Sequence, residues 1–183
     1  MKPSLFDFIT RWRHTLGYGV HSPLAYKLIT ECIHPDGRYA YYIDSRIQSV
    51  SSGYDERRYM RLLVRLIHKL WCKVVWMPDA DKKIVDVIAE AFPGIEVRKG
   101  WKMPKNADFI AFFNTRVSGQ IFSQLRELQD SFAILSYHSG RRGESPVGII
   151  EKDCKECTLL LSGKTFDLMV RRPGMQRVEY GIL

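Results

Sequence analysis

The sequence predicts an α/β protein in which a mostly parallel sheet lies between two layers of helices. From Cys72 to Tyr137, short apolar runs alternate with amphipathic helical segments, a pattern typical of parallel sheets. Two further apolar runs, Thr158–Leu161 and Thr165–Arg171, flank Ser162-Gly163-Lys164 and predict an antiparallel hairpin that closes the sheet. The first third of the chain shows only helical patterns, so we expect a helical extension before the sheet.

Composition limits the class of protein. The chain has 183 residues, of which 45% are hydrophobic, and this excludes a disordered chain. No apolar run reaches the roughly 20 residues of a membrane span, and charged residues interrupt any signal-peptide core near the N-terminus. We therefore expect a cytoplasmic protein without a membrane partner. The net charge of +8 would suit nucleic acid, but no recognised nucleic-acid motif accompanies it, and we expect no such partner.

The helical extension is predicted to span residues 1–52, with the sheet domain at 53–183. Helical periodicity covers Ser4–Leu16, and Ser22-Pro23 supplies an N-cap and a first-turn proline for a helix that ends at Ile33. Residues 38–53 show no clear pattern and are interpreted as mostly irregular. The extension should pack on the sheet domain because it carries these apolar residues: Phe6, Phe8, Trp12, Leu24, Leu28 and Ile29.

A strongly amphipathic helix is predicted from Asp55 to Leu70. One face is apolar and should be buried, with the residues Tyr59, Leu62, Leu63, Leu66, Ile67 and Leu70. The opposite face is basic and is interpreted as solvent-exposed, with the residues Arg57, Arg58, Arg61, Arg65 and Lys69.

The sheet domain contains further regular elements before the hairpin. Strands are predicted at Lys73–Met77, Ile95–Arg98, Ala107–Phe113 and Phe132–Tyr137, helices at Asp81–Phe92 and Ser118–Gln129, and one more short strand at Arg177–Ile182. Only Trp101 to Asn106 lie before the third strand, fewer than the about 10–12 residues of a helical crossover. We therefore expect extended chain at that connection.

The cysteines give no strong metal signal. Cys32 and Cys72 lie in apolar segments and are interpreted as buried free thiols. Cys154 and Cys157 form a lone C-x-x-C pair, and no histidine follows them to complete a zinc site. Reduced thiols are the preferred interpretation of this pair, with a redox pair as the alternative.

The segment Tyr18–Tyr26, which reads YGVHSPLAY, resembles the N-terminal signature H-G-[IV]-H-S-P-F-x-[FY] of a Bacteroidetes family of class I S-adenosylmethionine-dependent methyltransferase-like proteins. The helix Asp55–Leu70 and the hairpin that ends at Arg172 also follow that family's pattern. The resemblance implies a three-layer, Rossmann-like methyltransferase fold with strand order 2-1-4-5-7-6 in the family's numbering. The family's third strand and the helix before it would then be missing from this chain.

The family's cofactor motif is degenerate here. Where the family reads E-L-G-x-x-x-G after its first strand, this chain reads Trp76-Met77-Pro78-Asp79-Ala80-Asp81-Lys82, without a glycine. The family's ribose-binding acid is replaced by Arg98-Lys99, and its D-G-x-H by Phe113-Asn114-Thr115-Arg116. The resemblance places the positions that would contact the cofactor at Trp76, Pro78, Asp79, Arg98, Asn114 and His138. The cofactor, S-adenosylmethionine, is implied by the family alone.

Two functions stay open from the sequence. The favoured one is a non-catalytic binding or interaction module with lost or altered S-adenosylmethionine binding, and the alternative is an active methyltransferase with an atypical pocket. No catalytic residue is assigned. His21, beside a capping serine, is interpreted as structural, and His138 has no acid near it in the sequence to orient it.

The carboxyl ends of parallel strands share one edge of the sheet, and basic residues are predicted there: Lys82, Lys83, Arg98, Lys99, Arg116, Arg141 and Arg142. Any ligand of this edge is predicted to be an anionic small molecule, although side chains that merely solvate a disused cleft are the favoured interpretation. Asp79 and Asp81 could form a metal pair, but acids in a first helical turn are the simpler explanation. By analogy, the extension either covers the cofactor side or forms a homodimer contact.

Overall fold

A computed structural model describes residues 5–35, 43–51, 53–113, 123–125, 131–138, 147, 158–174 and 176–182. Within these ranges one mixed sheet contains the strands β1 (Val74–Met77), β2 (Glu96–Lys99), β3 (Phe109–Phe112), β4 (Phe132–Tyr137), β5 (Leu159–Ser162), β6 (Phe166–Arg171) and β7 (Val178–Gly181). Their order is β2-β1-β3-β4-β6-β5-β7. Pairing is parallel from β2 to β4, and β6 pairs antiparallel with both β4 and β5. The α/β class and the closing hairpin are confirmed.

The order β2-β1-β3-β4-β6-β5 agrees with the predicted order 2-1-4-5-7-6. The numbers differ because the predicted order counts a family strand that this chain lacks. Residues 100–108, which connect β2 to β3, contain neither helix nor strand, so the predicted absence of a helical crossover is confirmed. The connection bends and turns at Lys105-Asn106 instead of running extended, and β3 begins two residues after the predicted Ala107. Strand β2 therefore lies at the edge of the sheet, and three of its four residues are exposed. Strand β7 pairs parallel with β5 at the opposite edge, so the C-terminal segment is a strand of the same sheet.

The described residues contain the helices α1 (Leu5–Thr15), α2 (Pro23–Lys27), α3 (Asp44–Val50), α4 (Tyr54–Leu70) and α5 (Lys82–Ala91), and a π-helix at Leu28–Ile33 that continues α2. Helix α3 corrects the prediction that residues 38–53 are mostly irregular. With 7 residues it is too short to show a sequence period, and burial of Ile47 stabilises it through contacts with α4 and α5. Of the helix predicted at Ser118–Gln129, residues 123–125 are described, and they are helical.

Apolar side chains cover both faces of the sheet, as parallel strands require. On one face, alternate strand residues such as Val75, Ala111 and Leu135 pack against α2, α4 and α5. The other face carries Trp76, Ala107, Ile110, Phe112, Leu125, Phe132, Ile134, Val147, Leu160 and Met169. Leu125 and Val147, which follow β3 and lie between segments that the structure does not describe, belong to this second apolar layer.

The basic face of α4 is partly covered by the N-terminal extension. Arg61 forms a bidentate ion pair with Asp44 of α3, with N–O distances of 2.6 and 2.8 Å. Lys69 pairs with Glu31 of the π-helix. Arg65 is only 8% exposed, so its predicted solvent exposure is wrong. The acids of the extension therefore neutralise two of the cations that the sequence pattern assigned to solvent.

The N-terminal extension contacts the sheet near β7. The His14 ring meets the Tyr180 ring edge-on at a centroid distance of 5.2 Å. The backbone N–H of His21 donates a hydrogen bond of 3.1 Å to the Tyr180 hydroxyl, while the His21 side chain is exposed. Leu28 and Ile29 are fully buried. The expected packing of the extension on the domain is confirmed for these residues.

The apolar side chains on the outer side of α1 are exposed, although they were predicted to be buried against the sheet domain. Phe6 is 77% exposed, Phe8 52% and Trp12 51%, so their predicted burial is wrong. The contacts that α1 makes with β7 involve its C-terminal end at His14. A short helix docked through one end has too little contact area to cover all its apolar side chains.

The described cysteines are free thiols. Cys32 and Cys72 are both buried, which confirms their interpretation. Burial raises the pKa of the Cys32 thiol to about 11 and that of Cys72 to about 12. Cys154 and Cys157 lie outside the described residues.

Candidate functional site

The topology places a crevice between the carboxyl ends of β1 and β3. Helix α5 carries the chain from β1 to β2 on one side of β1, and β3 lies on the other side. This is the point where the strand order reverses, and open α/β sheets bind ligands outside the strands there. The predicted positions Trp76, Pro78 and Asp79 lie at or beside this point.

Asp79 bridges the crevice. Its two carboxylate oxygens each lie 3.1 Å from the backbone nitrogen of Phe113, whose N–H donates to them. Pro78, the residue before Asp79, is buried. The turn after β1 is thereby tied to the end of β3, where a glycine-rich turn would leave the backbone open to a ligand.

Trp76 and Arg98 are both engaged within the protein. Trp76 is fully buried, and its indole N–H donates a hydrogen bond of 2.7 Å to the carbonyl oxygen of Gly100. Its ring also packs edge-to-face on Phe112. Arg98 is exposed and forms an ion pair with Glu96 of the same strand. Asn114, the fifth predicted position, lies outside the described residues.

His138 lies just after β4 and is 1% exposed. Its Nε2 atom is 3.4 Å from Oδ2 of Asp167, a residue of β6 that is 4% exposed. Ser136 is fully buried and lies opposite Asp167 in the register of β4 and β6. An acid therefore does lie close to the histidine in the fold, although neither ring nitrogen of His138 has a hydrogen-bond partner among the described residues, and burial separates the pair from solvent.

Asp167 was not predicted as a partner of His138, because only acids close to His138 along the chain were expected to reach it. A strand pairing brings the two together from distant positions. A signal was present nonetheless, because Asp167 is the single charged residue inside the apolar run Phe166–Val170. A lone acid in a buried strand needs a partner.

A cavity of about 380 Å³ lies at the carboxyl ends of β3 and β4, beside the first turn of α4. Its lining consists of Gly53, Tyr54, Asp55, Glu56, Tyr59, Phe113 and Tyr137. None of these residues was among the predicted site positions, because Tyr59 fits the core pattern and Asp55 marks a helix start. Phe113, whose N–H is held by Asp79, connects the cavity to the crevice.

Four aromatic side chains give this cavity its shape. The rings of Tyr59 and Phe113 meet at 82° with centroids 5.1 Å apart, and those of Tyr59 and Tyr137 meet at 64° and 5.4 Å. The Tyr59 hydroxyl lies 2.8 Å from the carbonyl oxygen of Phe112, to which it donates, and 3.2 Å from that of Leu135. This central ring is therefore fixed to both strands. We call Tyr54, Tyr59, Phe113 and Tyr137 the aromatic box.

The charges at this edge are mixed. Lys82, Lys83 and Lys99 are exposed, whereas Arg116, Arg141 and Arg142 lie outside the described residues. The lining of the cavity contains two acids and, among the residues that the structure describes, no base. The preference of this edge for an anion stays a prediction without structural support.

Burial, followed by the charges of Asp55 and Glu56, raises the pKa of Tyr137 above its usual value. Burial, followed by the charge of Asp79, raises the pKa of Tyr59 as well. Both phenols therefore stay neutral at physiological pH. The Tyr59 hydroxyl is bound to the carbonyl oxygens of β3 and β4, so Tyr59 contributes its ring, and not a negative charge, to the lining of the cavity.

Neither a metal centre nor a membrane span is present in the described ranges. No group of three or more His, Cys, Asp or Glu side chains there could hold a metal ion. Asp81 occupies the N-cap position of α5, and Asp79 is bound to Phe113, which supports their interpretation as structural acids.

None of the described helices is long and apolar enough to cross a bilayer.

Comparison with known proteins adds no family to these observations. No family model matches the chain, and no curated protein matches it significantly.

Proposed function

We propose that the chain is a methyltransferase-like binding module that does not use S-adenosylmethionine as a cofactor. The observation that carries the proposal is the bond between Asp79 and the backbone N–H of Phe113. It occupies the strand-reversal point, where a nucleotide cofactor of a doubly wound sheet would approach the backbone. A buried Pro78 beside it leaves that turn without the freedom of glycine.

The strand order supports the methyltransferase-like part of the proposal. The order β2-β1-β3-β4-β6-β5, with an antiparallel β6, is the order that the family resemblance implies when its third strand is removed. Without that strand β2 is the edge strand, so the sheet on that side of the crevice is one strand narrower. The Rossmann-like, three-layer methyltransferase fold is therefore part of the same proposal.

The side chains at the crevice support the loss of cofactor binding. Trp76 is buried with its indole N–H bound to Gly100, so its ring is not free to stack on an adenine. Arg98 stands at the end of β2, where an acid would bind ribose hydroxyls, and it pairs with Glu96. His138 and Asp167 are buried, so neither side chain is open to a ligand.

Isothermal titration calorimetry with S-adenosylmethionine and S-adenosylhomocysteine tests the proposal. We expect no binding of either compound, and an active class I methyltransferase measured alongside serves as the positive control. Micromolar binding of S-adenosylhomocysteine would overturn the proposal and favour an active methyltransferase with an atypical pocket. S-adenosylhomocysteine is the decisive ligand because it lacks the positive charge of the sulfonium group.

A further inference from the structure

We infer that the cavity between α4, β3 and β4 binds a compact organic cation, of the class of quaternary ammonium or methylated ammonium groups. The inference deepens the proposed function by naming a site and a ligand class, and it rests on that proposal only in taking the protein to act by binding. The groups that would contact the ligand are the aromatic box and two carboxylates, namely Tyr54, Tyr59, Phe113, Tyr137, Asp55 and Glu56.

The ring geometry suits a cation. An ammonium group is attracted to the negative face of an aromatic ring, and several rings that meet at steep angles can surround one cation. Tyr59 meets Phe113 at 82° and Tyr137 at 64°, so the three rings are walls of a box and not a flat stack. The hydrogen bonds of the Tyr59 hydroxyl to β3 and β4 hold the central wall in place before any ligand binds.

The charges around the cavity also favour a cation. Asp55 and Glu56 lie in the first turn of α4, where the helix dipole contributes only about half a positive elementary charge. Two carboxylates exceed that charge, so the lining of the cavity is acidic, while Arg57 and Arg58 of the same turn lie outside the lining. The raised pKa of Tyr137, to which both acids contribute after burial, is consistent with this sign. Asp79 adds a further negative charge close to Tyr59.

One ring of the box already attracts a cation of the protein itself. The guanidinium carbon of Arg58 lies 5.9 Å from the centroid of the Tyr54 ring, and Tyr54 is 66% exposed. Arg58 does not line the cavity. Tyr54 is therefore a ring of the box that a cation can reach from solvent.

The size and polarity of the cavity narrow the ligand class further. Its volume of about 380 Å³ exceeds that of a water-sized gap and accommodates a trimethylammonium group with part of its carrier. A quaternary cation has no N–H donors, so it needs no precisely placed acceptors, and its desolvation is less costly than that of a primary ammonium. The aromatic walls would contact its methyl groups, and the carboxylates would balance its charge.

The test compares choline with its uncharged carbon isostere, in which a tert-butyl group replaces trimethylammonium. Binding is followed in the full-length protein by calorimetry and by the NMR signals of the tyrosine rings. We expect choline to bind and to shift the ring signals of Tyr137, and its isostere to bind at least about tenfold more weakly, a ratio typical of a desolvated cation–π site. Trimethyllysine and tetramethylammonium serve as second and third probes.

Matched variants locate the site. Asp55→Asn with Glu56→Gln should weaken choline binding about tenfold through the loss of two negative charges, and Tyr137→Leu should weaken it by removing the ring while keeping an apolar side chain at that position. Asp81→Asn is the control, because it removes one acid from the start of α5 outside the cavity. Arg58→Gln should leave binding unchanged or strengthen it. Circular dichroism and thermal unfolding confirm that each variant is folded.

Equal affinity for choline and its isostere would overturn the inference, as would binding that survives the Asp55 and Glu56 substitutions. The absence of binding of all three cations at their solubility limits would overturn it too. S-adenosylhomocysteine in the same titrations separates this inference from the proposed function. Its binding would contradict the proposed function alone, whereas failure of the cations would contradict the cation site alone.

Discussion

Asp79 and Phe113 tie together the carboxyl ends of two adjacent parallel strands. Both carboxylate oxygens of Asp79 accept from the Phe113 N–H at 3.1 Å, and the Phe113 ring forms one wall of the cavity beside α4. One acid after β1 therefore closes the strand-reversal point and positions a ring of the aromatic box. This contact therefore joins the turn after β1 to a residue that also lines the cavity.

Removal of the Asp79 carboxylate should destabilise the fold. In Asp79→Ala the Phe113 N–H loses a charged acceptor in a partly buried site, and we expect a loss of about 1–3 kcal/mol in the free energy of unfolding. Urea denaturation measures it, with Asp81→Asn as the control for loss of an exposed acid. A stability within error of the wild type would show that solvent replaces the carboxylate and that the crevice is not held closed by it.

The extension should be held by apolar burial more than by its ion pair. Ile47→Ala removes a fully buried side chain of α3 and should cost about 2–5 kcal/mol. Arg61→Ala breaks a pair whose side chains are about a quarter exposed and should cost about 0.2–1 kcal/mol, less at high salt. Thermal unfolding of both variants ranks the two contributions. The reverse ranking would mean that α3 is docked by charge.

The Asp44–Arg61 pair should also have a defined pH dependence. A side-chain hydrogen bond from Arg61 is the main cause that lowers the pKa of Asp44. A lowered carboxylate pKa stabilises the folded state above the ordinary aspartate value of about 4, and that stabilisation is lost as pH falls through the folded pKa. The stability difference between wild type and Arg61→Ala should therefore be constant near neutral pH and vanish in acid. A difference that persists in acid would assign the effect of Arg61 to packing.

His34 should destabilise the protein in mild acid. Burial, followed by the charges of Arg58 and Arg65, lowers its pKa below the ordinary value, so the folded state resists its protonation. The unfolded state then binds more protons, and stability should fall as pH drops below about 6.5 toward the folded pKa. His34→Gln should flatten the stability profile in that window. An unchanged slope in the variant would place the titrating group elsewhere.

The two buried thiols should be protected from alkylation. Burial raises the pKa of Cys32 to about 11 and that of Cys72 to about 12, so little thiolate forms near neutral pH. Iodoacetamide should modify both only after unfolding, and peptide mapping by mass spectrometry resolves each site. Rapid labelling of either residue in the native protein would show local opening of the extension or of the start of β1.

The local pattern of apolar residues was sufficient to predict where most of the regular helices and strands lie. Strand β4 begins and ends at the predicted residues Phe132 and Tyr137, and α4 begins one residue before the predicted Asp55. Apolar periodicity determines these elements because each one buries a complete face, and the missing crossover before β3 followed from chain length alone. The closing hairpin follows from the same apolar pattern, whereas the edge position of β2 was implied by the family resemblance alone.

The contacts that shape the carboxyl edge were decided by the tertiary structure. Asp167 approaches His138 only because β6 pairs with β4, and Asp79 reaches Phe113 only because β1 pairs with β3. Helix α3 and the burial of Arg65 depend likewise on what the extension packs against. Each of these involves partners far apart in the chain, whose proximity depends on strand register and packing. The sequence by itself determined which residues form the sheet, and the assembled sheet determined which polar groups meet at its edge.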